Sequence, residues 1–444
     1  MSATRDRDQE ISNATALLRR RKPGRSLEPP FYLDDGLFNL DLDLIFGRHW
    51  IHVGVEADVP GPGDYVTIEF GRYSLIVVRG ADMKIRGFHN VCRHRGARIL
   101  HEPKGKVQRI VCRYHSWAYD LAGPLVFAEH ISPEADRSCI GLKPVHLRTL
   151  AGLMFVCMAE APPDDFDDMR RTVEPYLAPH DLGNCRVVHQ IDMIEDGNWK
   201  VVLENNRECY HCGGHPELLR TFFQFFAHDE SDVRPRQKEY YQRYLRISGE
   251  MHDIWEAHGL PWKLVDELDH RPTPFRLERL PLDNEGQSYT LDTLIASQRL
   301  LGKFTTPRLG ALSLHTQPNS WNHFLSDHAV ISLILPLAPE KTLLRTKWLA
   351  HKEAVEGRDF DIENLTRVWR KTNEQDATYV GWTQTGIRTE GYDPGLFTPN
   401  ENQLEKFLSW YVEWLGAHLG VSAQPHAHAQ MSEQGTTTGR TLSA

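Results

Sequence analysis

Residues 208–219, ECYHCGGHPELL, bring Glu208, Cys209, His211, Cys212 and His215 together in one short stretch. Two chemistries compete there. Cys209 and Cys212 have the Cys-x-x-Cys spacing of a zinc knuckle or a redox disulfide. His211 and His215, four residues apart, share one face of a helix and can point at one ion. With a distant carboxylate they make the 2-His-1-carboxylate triad of oxygen-activating ferrous sites, which leaves adjacent positions open for O2 beside a substrate. No second Cys pair is present to complete a four-thiolate site. The histidine reading is preferred, with Cys209 and Cys212 as packing residues of the helix.

A second constellation lies upstream in NVCRHRGARI (90–99) and IVCRYHSWAYD (110–120): Cys92-x-His94, then Cys112-x-x-His115. Two thiolates and two imidazoles on separate loops fit a [2Fe–2S] cluster in which the cysteines hold one iron and the histidines the other. Tetrahedral zinc accepts the same ligand types. Zinc fingers, however, pair Cys with Cys and His with His, whereas each loop here supplies one of each.

At these residues HNVCRHRGARI and CRYHSWAYDLAG resemble the N-terminal domain of Rieske non-haem iron oxygenase large (alpha) subunits, and NWKVVLENNRECYHC resembles their iron-site helix. The resemblance covers about residues 30–420. It implies an α+β fold: an N-terminal antiparallel β Rieske domain, then a helix-grip catalytic domain with an antiparallel sheet and long helices. It implies a [2Fe–2S] cluster on Cys92, His94, Cys112 and His115, and a mononuclear Fe(II) on His211, His215 and Asp376, with Glu374 as the fallback third ligand. Relatives set four residues between the two histidines; this chain sets three. Glu208 takes the place of the acid that bridges the two metal sites of neighbouring subunits, which implies a head-to-tail homotrimer.

The segments NSWNHFLSDHA, TKWLAHKEAVEG and YDPG look most like the quaternary-ammonium branch of that family, which acts on glycine betaine, proline betaine, carnitine or choline. The implied reaction is oxidative N-demethylation with O2, releasing formaldehyde. Alternatives are an aromatic-ring-hydroxylating dioxygenase large subunit or an electron-transfer Rieske protein. A methylated ammonium cannot donate hydrogen bonds, so its pocket should be aromatic; Trp321 and Trp382 are the candidates. The chain lacks the glycine-rich motifs that bind a nicotinamide or nucleotide phosphates, so a separate flavin- and ferredoxin-type, NAD(P)H-dependent reductase is expected. Arg93, Arg95, Arg98 and Arg113 either dock it or offset the cluster's charge.

These residues need a scaffold. The 444 residues suffice for two or three domain-sized units, and 40% apolar with 25% charged side chains is ordinary for a globular protein. A net charge of −9 argues against nucleic acid or an anionic membrane as the main partner. The N-terminus has no apolar signal core, no apolar run spans a bilayer, and seven cysteines fit a reducing compartment; a cytoplasmic location is expected. The reading divides the chain into an N-terminal helix and linker (1–30), a Rieske domain (31–150), a catalytic domain (151–421) and a disordered tail (422–444). AGLMFVCMA is read as the strand opening the second domain, and 225–305 as a mostly helical insertion.

Overall fold

The computed structural model describes residues 2–132, 134–223 and 233–421. The expected disordered tail lies outside the described residues. Among them, no helix is long and apolar enough to cross a membrane.

One compact unit is Phe46–Asp164. Its main sheet is antiparallel, in the order Ile51–Val55, Leu153–Cys157, Pro144–Leu150, Ile85–His89, Tyr73–Arg79, Asp64–Phe70, Lys104–Lys106. A three-stranded sheet, Ile110–Val111, Ala118–Tyr119 and Leu125–Phe127, accompanies it. Tyr65, Ile76, Val78, Phe88, Ile110 and Tyr119 form an apolar core that also takes in Cys92 and Cys112.

The boundary differs from the expected one at both ends. Leu153–Cys157 does not open the second unit; it completes this sheet. It returns from Pro144–Leu150 through a tight turn at Ala151 and Gly152, both with positive φ (46° and 94°), the geometry that matches hairpin twist. Residues 31–45 belong to the other unit. Tyr32 donates its hydroxyl to Glu204 (2.8 Å), and buried Asp41 accepts from Tyr411 (2.7 Å), Trp199 (2.9 Å) and Lys200. Those bonds fasten the segment to the catalytic helices.

The other unit is built on a seven-stranded antiparallel sheet, ordered Cys185–Glu195, Lys341–His351, His328–Ala338, Ser320–Phe324, Ala311–Thr316, Phe275–Leu280, Val265–Glu267. The strand His328–Ala338 is buried over its first nine residues, so it reads as an apolar run and not as an alternation. The helix Ile362–Ile387 starts at Asp361, whose side chain accepts from Asn364 N. Its Leu365, Val368 and Trp369 pack with Val330, Trp348 and Ala350 of the sheet. Asn373 Nδ2 donates to Thr346 Oγ1 (2.9 Å), pinning the helix to its strand.

The mostly helical insertion is a correction. Among the described residues there, only Lys238–Ala257 is an α-helix; Val265–Glu267 and Phe275–Leu280 are strands, and 281–310 is irregular. Gly259, Pro261, Pro272, Pro274 and Pro281 interrupt any helical period.

Candidate metal centres and the active-site cavity

The two Cys/His loops share one hydrogen-bond pattern. Each cysteine N–H donates to the carbonyl five residues on (Cys92 to Ala97, Cys112 to Trp117, both 2.8 Å). Each cysteine carbonyl accepts from the residue four on (Gly96 and Ser116, both 3.0 Å). Those two donors sit at the positive-φ position, +76° and +58°. The matched loops bury both sulfurs and expose both imidazoles, whose ring centroids lie 4.6 Å apart. Cys92 and Cys112 are free thiols, and burial pushes Cys112 above its usual pKa, with Cys92 adding to the rise. Two buried thiols side by side give up their protons together only to a cation that both can ligate. The donor set therefore fits an iron–sulfur cluster with two sulfurs inside and two nitrogens toward solvent. Tyr119 adds a hydroxyl 3.3 Å from Cys92 Sγ. Of the flanking arginines, Arg98 pairs with Glu69 (2.9 Å), Arg95 lies over the Tyr114 ring (5.4 Å), and Arg93 and Arg113 are exposed.

The second centre departs from the expected helix. Trp199–Asn206 is helical, capped by Asn198, but His211 and His215 flank a short 3-10 turn, Cys212–Gly214. Glu208 turns the chain: its carboxylate accepts from the backbone N–H of Tyr210 and of His211 (3.3 Å). With the helix ended, Cys209 and Cys212 come within bridging distance (Cα–Cα 4.9 Å) and form a disulfide, so they are not helix-packing residues. Gly214 lets the Tyr379 hydroxyl close on the turn; a Cβ there would lie 2.0 Å from that hydroxyl and the tyrosine ring would have to move.

His211 Nε2 lies 3.2 Å and His215 Nε2 3.3 Å from the same atom, Asp376 Oδ1. Donors about 2.1 Å from one ion and at right angles lie about 3 Å apart, so the three fit a single metal. Glu208 Oε1 holds His211 Nδ1 at 2.5 Å, which leaves Nε2 for the ion; Asn205 Nδ2 donates to Asp376 Oδ1 at 2.9 Å. Burial alone lowers the His211 pKa, but Asp376 and Glu208 raise it to about 9. Neither ring nitrogen of buried His215 makes a hydrogen bond among the described residues, so Nε2, 3.3 Å from Asp376 Oδ1, is free to ligate a metal. Glu374, the fallback, is bonded to Lys371 (2.6 Å) on the outer side of the helix.

A cavity adjoins the triad, lined by Phe222, Tyr289, His323 and Trp369 among others. His323 stacks on Trp369 (4.3 Å, 23°), and Tyr289 meets both rings edge-on (5.7 and 5.6 Å). Trp321 and Trp382, the expected aromatic pair, do not line it. Trp321 is buried two residues nearer its hairpin turn than His323, and Trp382 is 68% exposed. Helical arithmetic was the missed signal: Trp369, seven residues before Asp376, lies about 20° from it around the axis, whereas Trp382, six after, lies about 120° away.

The chain matches the family model for the Rieske [2Fe-2S] domain at residues 49–140 and that for the ring hydroxylating alpha subunit (catalytic domain) at 182–417. It is 40% identical to the glycine betaine monooxygenase oxygenase subunit of Chromohalobacter salexigens, over 94% of this chain and 92% of that one. The subunit of the same name from Pseudomonas aeruginosa is 39% identical over 92% of this chain and 93% of that one. A solved structure of the quaternary ammonium Rieske monooxygenase CntA superposes with a TM-score of 0.66 at 20% identity, covering 90% of this chain and 98% of that one. A naphthalene 1,2-dioxygenase does so at 0.62 and 18%, covering 93% and 96%. These last two are likenesses of fold. Taken with the two donor sets, the matches place this chain among the Rieske non-haem iron oxygenases, as a large (alpha) subunit with a Rieske domain and a mononuclear-iron catalytic domain.

Proposed function

We propose that the chain is the oxygenase component of a monooxygenase that N-demethylates a quaternary ammonium compound of the glycine betaine or proline betaine type. The observation that carries this reading is the aromatic wall of Tyr289, Trp369 and Phe222 beside the His211–His215–Asp376 triad. Aromatic faces attract a methylated ammonium by about 0.5–2 kcal/mol per well-placed ring. His323, in the same wall, has its pKa pushed down to about 3 by burial, so it stays neutral and does not repel the cation. The names of the two relatives reported above point the same way.

In this reading Cys92, His94, Cys112 and His115 hold the cluster, and His211, His215 and Asp376 hold the iron. When bound, the cluster supplies single electrons and the mononuclear iron supplies oxygen activation at an N-methyl group. The chain's own residues do the rest. The rings hold one N-methyl toward the triad, the apolar wall excludes water, and Glu208 fixes the His211 tautomer. The hydroxylated methyl then leaves as formaldehyde. Glu208 also bridges to His115 of a neighbouring subunit in a homotrimer, and a separate flavin- and ferredoxin-type reductase supplies electrons from NAD(P)H.

The test is substrate-dependent formaldehyde from the iron-loaded protein with a Rieske reductase, O2 and a panel of betaines. Formaldehyde from at least one N-methylated compound is the expected result. None from any of them, at full iron loading, would reject the proposal.

A further inference from the structure

The cavity is also lined by two arginines, Arg207 and Arg276, beside Ser313, Gln403 and His315, which burial and the two arginines keep neutral. Arg276 and His315 are partners across neighbouring strands, and Ser313 pairs with His323 two residues further along, a step of about 7 Å. Arg276 and His315 thus stand one such step along the sheet from Ser313 and from His323, the ring that stacks on Trp369.

Arg276 is already answered by Glu278 at 2.8 Å and Asp266 at 3.8 Å. Arg207 differs. It is 1% exposed, and its guanidinium donates to Asn206 Oδ1 (2.6 Å) and to the carbonyls of Thr316 and Ser320 (both 3.3 Å). Among the described residues no carboxylate pairs with it, and its Nε has no hydrogen-bond partner. Burial first, and then the neighbouring Arg276, push its pKa down to about 9. A buried charge without a counter-charge is costly, and buried guanidinium groups are ordinarily paired with a planar anion. Here the cavity that holds the aromatic rings is also lined by a cation for which no carboxylate partner is found among the described residues.

Resting on the function proposed above, we infer that Arg207 anchors a carboxylate of the substrate, so that the cavity selects quaternary ammonium acids over cations lacking the acid. A zwitterion lying along the cavity sets its carboxylate at Arg207 and its ammonium against Trp369 and Tyr289, beside the triad. Net charge in the cavity then falls by one at the guanidinium, and no proton need move.

The test compares glycine betaine with its carboxamide, which keeps the trimethylammonium and loses the negative charge. Binding to the holoenzyme is read by titration calorimetry, and turnover separately by formaldehyde. Wild type should bind the acid about 10- to 100-fold more tightly, the difference expected of a charged hydrogen bond. Arg207→Gln should bring that ratio close to one, mainly through KM in turnover, and Arg207→Lys should restore part of it. Equal binding of acid and amide by wild type overturns the inference, and that result needs no variant to fold. Equal weakening of both ligands in Arg207→Gln overturns it too, since it would leave Arg207 only holding the Thr316 and Ser320 carbonyls. Absence of formaldehyde would strike the demethylation reading instead, with the binding ratio still deciding the anchor.

Discussion

The Tyr119 hydroxyl accepts the Arg93 N–H at 3.0 Å, which leaves its own hydrogen to point at Cys92 Sγ. A bond donated to a ligand sulfur stabilises the more negative, reduced cluster. Tyr119→Phe should therefore lower the cluster's reduction potential by about 20–60 mV, the equivalent of one net hydrogen bond in a one-electron couple. Redox titration of the reduced cluster's EPR signal reads this; an unchanged potential would remove Tyr119 from the account. At the scale of single residues, legibility followed sequence distance. Each Cys/His pair sits within one loop, so its spacing alone signalled its chemistry. Asp376 stands 165 residues from His211, and only the family resemblance pointed to it. Arg207 looked like any charged residue of a helix, because its burial and its missing counter-ion exist only in three dimensions.

Among the elements, the segment 288–297 brings Tyr289 to the cavity without any regular structure of its own. Buried Asp327 holds it, accepting from Ser288 Oγ (3.0 Å), Ala296 N (2.6 Å) and Ser297 N (3.2 Å), with His328 Nδ1 at 2.9 Å. Burial by itself raises the Asp327 pKa, but His328 and these hydrogen bonds outweigh it and hold the carboxyl below its usual 3.8. A depressed folded pKa contributes stability that is complete above the unfolded value and lost as pH falls through the folded one. Asp327→Asn should cost about 2 kcal/mol at neutral pH by urea unfolding. It should also flatten the loss of stability below about pH 3.8, the value the group has when unfolded. A variant as stable as wild type, with the same acid limb, would contradict this. The elements misread from sequence have a common cause. Leu153–Cys157 pairs with strands on both sides, one of them a hundred residues earlier, and just past the helix at 199–206 the Glu208 carboxylate folds Tyr210 and His211 into a turn. Hydrophobic period reports neither event.

At the scale of the molecule, two compact units each carry one donor set, and each set is internally complete. The Rieske unit provides two buried sulfurs and two exposed imidazoles; the catalytic unit provides two imidazoles converging on one carboxylate oxygen. Domain composition and the broad fold class were readable because each unit keeps its own pattern, short antiparallel strands in one and long helices against a sheet in the other. Domain edges were not, since residues 31–45 are tied to the distant unit through Tyr32 and Asp41. The central claim is that two unlike iron centres share this polypeptide, and its most direct test is metal analysis with EPR on wild type and Asp376→Ala. Wild type should hold about three irons per chain, two in the cluster and one at the triad. Asp376→Ala should hold about two, with the reduced cluster's signal unchanged and turnover abolished. Asp376→Ala protein that keeps the third iron and full turnover would contradict the account.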